Sequence, residues 1–96
     1  MYAHVNIWRL NDAGASTDDT VAREVAAALS RRPGFRSYTL VRTGEREVVA
    51  VTVFDSADHL DAAVQTVADL VRRRVEPLAA GPPERRRGAV VHHTAA

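Results

Sequence analysis

The sequence predicts an α+β domain with the element order strand, helix, strand, strand, helix, strand, and three observations predict it. Phe35 to Phe54 reads as two strands joined by a tight polar turn, and its second half, Val48 to Phe54, is apolar at every position except Thr52. Such a strand must be covered on both faces. On either side of this hairpin lies a stretch with apolar residues at helical spacing, and near each end of the chain lies a short strand-like segment. With 96 residues the chain is large enough for one modest core and too small for two.

The first element is Tyr2 to Leu10, where Ala3, Val5 and Ile7 alternate with His4, Asn6 and Trp8. A period of two gives a strand with one aliphatic face and one polar and aromatic face. A loop over Asn11 to Ala15 follows, and Ser16 with Asp19 three residues later reads as an acidic capping box opening a helix. Asp18 and Asp19 then occupy the first turn, where the helix dipole favours negative charge. Val21, Val25, Ala28 and Leu29 form its apolar stripe, and Pro33-Gly34 ends it.

The hairpin turns through Thr43, Gly44, Glu45 and Arg46, with Gly44 expected to supply a positive φ. After Phe54, Ser56 is placed to cap a second helix from about Ala57 to Val75, with Leu60, Val64, Val67 and Val71 on its buried stripe and Pro77 beyond its end. Ala79 to Gly88 has the composition of an exposed loop, and Ala89 to Thr94 is the expected last strand.

This order is the ferredoxin-like βαββαβ arrangement: a four-stranded antiparallel sheet with both helices on one face. Strands 1 and 3 are then central, and the face without helices is expected to carry His4, Asn6 and Trp8. A bare face of that kind exceeds what a soluble monomer usually exposes. Burying about 800 Å² of it per subunit at roughly 25 cal/mol per Å² contributes on the order of 20 kcal/mol before association costs. A homodimer with its sheets packed face to face is the expectation.

Composition excludes several classes. There is no cysteine, so disulfides and thiolate metal sites are impossible and a reducing compartment is expected. Strand-forming residues begin at Tyr2 with no basic leader before them, and no apolar run approaches the roughly 20 residues of a membrane span. A cytoplasmic protein without a membrane partner is the expectation. The net charge of +1 gives no general attraction to nucleic acid. Residues 71–96 do carry six arginines against two acids, in the runs Arg72 to Arg74 and Arg85 to Arg87. No aromatic side chains interleave them, so no nucleic-acid partner is expected.

Asn6 on the first strand, the helix ending in Pro33-Gly34-Phe35, Tyr38 on the next strand, and a third strand ending in Phe54 before Asp55-Ser56 together resemble the dimeric α+β barrel superfamily. Within it the chain is most similar to the antibiotic-biosynthesis monooxygenase-like group. The resemblance implies a cofactor-independent monooxygenase acting on a small aromatic or polyketide-type compound, with no cofactor and no metal. It implies catalytic roles for Asn6 as donor to a developing enolate oxygen, Trp8 as stacking wall and Tyr38 as hydrogen-bond partner, with Arg36 a further candidate. His4, Thr52, Phe54 and His92 are the expected substrate-binding residues. Haem-degrading members combine a strand-1 asparagine with a tryptophan and a histidine. Phe54 and Val64 stand at the latter two positions here, so haem degradation is not expected.

Each site residue also has a purely structural reading: Asn6 as a hydrogen-bond partner across the dimer, Trp8 as an interface anchor, Tyr38 as a packed residue. The alternation leaves open whether Tyr38 and Leu40, or Ser37 and Thr39, face the helices. His4 is expected beside His92 or His93, a pair too small for a metal site and suited at most to a general base. The alternative function class is a non-catalytic dimeric module that binds a small apolar ligand or a protein. A cavity of a few hundred Å³ lined by Asn6, Trp8 and a titratable group would favour the enzyme.

Overall fold

Ser56 shows how local chemistry builds this fold. In the computed structural model, which describes all 96 residues, its hydroxyl accepts a hydrogen bond from the His59 backbone N–H at 3.1 Å and caps α3, Ala57–Arg74. The chain before it runs β1 (Tyr2–Arg9), α1 (Asp12–Ala15), α2 (Thr20–Ser30), β2 (Phe35–Gly44) and β3 (Glu47–Phe54). A 3₁₀ turn at Glu76–Leu78 and β4 (Glu84–Ala89) follow it. All strand pairs are antiparallel, in the order β2-β3-β1-β4. This is the ferredoxin-like α+β fold, with β1 and β3 central.

The α2 stop is as expected. Gly34 sits at φ +81°, a conformation a side chain resists, and a Cβ there would lie 2.6 Å from the His59 ring. Three local details differ from expectation. Asn11, not Ser16, opens the first helical turn, accepting from Gly14 N–H at 2.9 Å while its amide donates to the Pro77 carbonyl at 2.8 Å. Ser16 closes that turn, and Asp18 instead accepts from the Thr20 N–H at the start of α2. In the hairpin, Gly44 ends β2 without a positive φ, and the turn is Glu45-Arg46.

The larger correction concerns the last strand, which is Glu84–Ala89 and not 89–94. After the 3₁₀ turn the chain is pinned at once to the far end of β1. Leu10 bridges Ala79, the Ala80 N–H donates to the Arg9 carbonyl at 2.8 Å, and pairing then starts at Glu84 opposite Ile7. It ends at Ala89 opposite Tyr2, where β1 runs out, so His92 and His93 lie beyond the sheet. The strand is an edge, and its arginines discourage further pairing there.

The second correction is of face. His4, Asn6 and Trp8 point toward α2 and α3, with His4 and Trp8 only 8% and 7% exposed. Ala3, Val5 and Ile7 lie on the open side, beside Val49, Val51 and Val53 of β3. The more aliphatic register of β1 therefore faces away from the helices. The densest packing is at one end of the inner face, where Phe54 and Leu60 are fully buried among Val25, Leu29, Ala63 and Val67.

Candidate functional site

Side-chain size creates the site. Beyond the Phe54 end, the inner face of β3 continues as Thr52, Ala50 and Val48, and the facing helix positions include Val21, Ala22 and Val25 of α2 and Val64, Val67 and Ala68 of α3. Short side chains on three facing elements cannot close the gap between sheet and helices, and a cavity of about 370 Å³ remains.

Strand register orders its wall into rungs. Tyr38, Thr52, His4 and Arg87 lie across the sheet in one row, then Leu40, Ala50, Asn6 and Arg85, then Arg42, Val48 and Trp8. Successive rungs on one face are about 7 Å apart, two strand residues. This settles the β2 alternation in favour of Tyr38 and Leu40 on the helix side. Asn6, Trp8, Tyr38, His4 and Thr52 all line the one cavity. Phe54 does not: it lies one rung outside, fully buried, with its ring edge-to-face on Phe35 at 5.6 Å. His92 is exposed at the chain end, its ring beside the Thr94 hydroxyl, and it does not reach His4. Arg36 is exposed and ion-paired with Asp55.

The polar groups of the cavity are poised differently. Burial, followed by the Arg87 and Arg85 guanidinium groups, pushes His4 below its ordinary value of 6.5, with Asp61 opposing. The imidazole is therefore neutral at pH 7, the form that can accept a proton. Burial alone raises Tyr38, so its phenol stays protonated as a donor. Asn6 Oδ1 is buried with no hydrogen-bond partner. A buried acceptor left unpaired is costly, and one that faces a cavity is a place for a ligand donor. No group of three histidine or acidic side chains is placed to hold a metal ion.

Arg85 and Arg42 are wall residues that the sequence reading did not anticipate. The signal for Arg85 was the alternation of Arg85 and Arg87 about Arg86, hidden by assigning that run to a loop. Arg87 bridges to Asp61 of α3 at 2.6 Å and lies over the Tyr2 ring, tying the edge strand to the helix.

A family model described as antibiotic biosynthesis monooxygenase matches residues 1–71. The chain belongs to this family. The match includes every residue of β1, β2 and β3 on the cavity wall, and β4 lies outside it. Solved structures agree on the fold of this family member. A point mutant of SnoaB, a cofactor-independent oxygenase from Streptomyces nogalater, superposes with a TM-score of 0.80 at 22% identity, covering 96% of this chain and 94% of that one. A Mycobacterium tuberculosis protein gives 0.79 at 18% identity over 98% of each chain. A protein of unknown function from Nitrosomonas europaea gives 0.84 at 9% identity, covering 99% of this chain and 93% of that one. Comparison with curated proteins gives no significant match.

Proposed function

We propose that the protein is a cofactor-independent monooxygenase that oxidises a small aromatic or polyketide-type hydroxy compound in the cavity between sheet and helices. The observation that carries this reading is the cavity itself: about 370 Å³, walled mainly by apolar residues, with Asn6, Tyr38 and a neutral His4 set into one face. A filled interior would have favoured a purely structural module. In the proposed reaction His4 takes a proton from the substrate hydroxyl, and the electron-rich ring carbon bonds to O₂. The resulting peroxide loses water to leave a carbonyl, so one oxygen atom enters the ring and the other leaves as water. Asn6 and Tyr38 hydrogen-bond the ring oxygens, and Trp8 stacks on the ring.

The family match and the likeness to a cofactor-independent oxygenase support the reaction class. The test is oxygen uptake with a panel of polycyclic phenols, with isotope-labelled O₂ tracing one atom into product. Asn6→Ala is expected to lower turnover by about tenfold to a hundredfold through loss of one hydrogen bond to a charged group, with the oligomer intact. An unchanged rate would remove Asn6 from the reaction.

The working unit in this proposal is a homodimer in the cytoplasm. Ala3, Val5, Ile7, Val49, Val51 and Val53 form a half-buried aliphatic surface on the two central strands, on the side of the sheet away from the helices. The same surface on a second copy is its natural cover, since a self-complementary sheet face suits two-fold packing. No helix of the chain is long and apolar enough to cross a membrane.

A further inference from the structure

A buried acceptor without a donor and a solvent-exposed cation lie side by side on the cavity wall. Asn6 Oδ1 is a buried acceptor without a donor, and Arg85 is the residue directly opposite Asn6 on β4. Paired residues on neighbouring strands have Cα atoms about 5 Å apart and side chains on the same face, so both address the same part of the cavity. Arg85 also differs from its neighbours. Arg87 is neutralised by Asp61 and Arg86 by Glu84 on the other side of the strand, whereas Arg85 has no carboxylate partner. The acids on the cavity wall, Asp18 and Glu76, lie on the α1–α2 connection and the 3₁₀ turn. Both segments are attached at the Leu10 end of β1, beyond Trp8.

An unpaired guanidinium beside an apolar cavity attracts an oxyanion, and an orphaned amide oxygen attracts a hydroxyl. We infer that the cavity selects an aromatic ligand carrying an oxyanion and a hydroxyl on neighbouring positions, the oxyanion on Arg85 and the hydroxyl donating to Asn6. This deepens the proposed function, since it rests on the cavity taking an aromatic compound. A neutral phenol leaves Arg85 unused, and an anion without the adjacent hydroxyl leaves Asn6 unsatisfied. Trp8, on the rung next to Asn6, offers an apolar surface in the same cavity for the ring.

The test is equilibrium binding, read by quenching of Trp8, the chain's single tryptophan. The probes are 4-nitrocatechol, which carries a phenolate beside a hydroxyl, salicylate, which carries a carboxylate beside a hydroxyl, 2-methoxy-4-nitrophenol, which lacks the donor, and 4-methylcatechol, which lacks the charge. The expected result is that Arg85→Gln weakens the anionic diol or hydroxy acid by about two- to fivefold, the range for an ion pair that solvent reaches, and leaves 4-methylcatechol unchanged. Methylating the hydroxyl is expected to weaken binding to the native protein by about threefold or more. Arg86→Gln, on the opposite face of the same strand, is the control for net charge and is expected to change nothing.

Whichever of 4-nitrocatechol and salicylate shows the Arg85 dependence identifies the source of the oxyanion. Dependence in neither, an equal effect of Arg86→Gln, or equal affinity for the methyl ether overturns the inference. The reading as an oxygenase fails separately: Arg85-dependent binding without oxygen uptake sinks that reading alone, and turnover indifferent to Arg85→Gln with every probe sinks this one alone.

Discussion

Phe54 stands at the boundary between what the fold needs and what the cavity uses, and Phe54→Leu separates the two. The side chain is fully buried, with its ring 5.6 Å from the Phe35 ring at an interplanar angle of 81°. Losing that edge-to-face contact costs about 0.5–1.5 kcal/mol. The smaller side chain leaves roughly 20 Å³ unfilled, and at about 24 cal/mol per Å³ this adds about 0.5 kcal/mol. The expected destabilisation is about 1–2 kcal/mol, or a fall in Tm of about 4–16 °C for a domain of this size. Because Phe54 lies one rung outside the cavity, ligand affinity measured by Trp8 quenching is expected to stay within about twofold, small beside the tenfold that 1.4 kcal/mol represents. Tyr38→Phe should do the converse, weakening binding with little change in Tm, since only a hydroxyl on the cavity wall is removed. Loss of affinity in Phe54→Leu without loss of Tm would refute the boundary and return Phe54 to the binding site.

Two further outcomes are expected. Val51→Lys places a charge at the middle of the open sheet face, between Val5 and Thr39, and should convert the proposed dimer to a monomer in equilibrium sedimentation, the unsubstituted chain sedimenting as two copies. A dimer of unchanged affinity would move the interface elsewhere. His4 makes stability depend on pH. Its folded pKa is depressed, so between that value and the ordinary 6.5 the unfolded chain holds the extra proton. Stability from this group is complete above pH 6.5 and falls as the pH drops below it, by at most about 1.4 kcal/mol per pH unit. His4→Gln should flatten that slope in denaturant titrations taken across the window.

The parts of the fold written in local chemistry were legible: the Ser56 cap, the Pro33-Gly34 stop, the polar turn after Thr43 and the doubly apolar β3. Each is decided by residues within a few positions of one another. What local pattern could not decide was set by distant parts of the chain. The β4 segment looks like a loop because Pro82-Pro83 and three arginines oppose strand formation. It is a strand because Leu10–Ala79 contact delivers the chain to the open edge of β1. The faces of β1 were reversed for a related reason. Ala3, Val5 and Ile7 are the more hydrophobic register, and hydrophobicity marks a buried face without saying what buries it. The mixed register, His4, Asn6 and Trp8, went under the helices because a cavity there tolerates polar groups. Asn6, Trp8, Tyr38, His4 and Thr52 could be named from the resemblance and the strand pattern. Arg85 could not be, because its position depends on the β4 register.

The cavity's origin in small side chains can be tested at Ala50, which lies between Asn6 and Leu40 on the middle rung and is 6% exposed. Ala50→Leu adds three carbon atoms pointing at the space between sheet and helices. If that space is as open as its lining implies, the new groups exchange water for apolar neighbours at about 0.8 kcal/mol each, so stability rises by up to about 2 kcal/mol. In a close-packed interior the same change would cost about 1–3 kcal/mol through strain. The sign of the change in Tm therefore distinguishes a cavity from a packed core. Ligand binding should be lost in the same variant, since the leucine occupies the space beside Asn6 that the ring requires. A fall in Tm would mean that the Val and Ala stripes of α2 and α3 close on the sheet in solution, and the space on which the proposed chemistry depends would not exist.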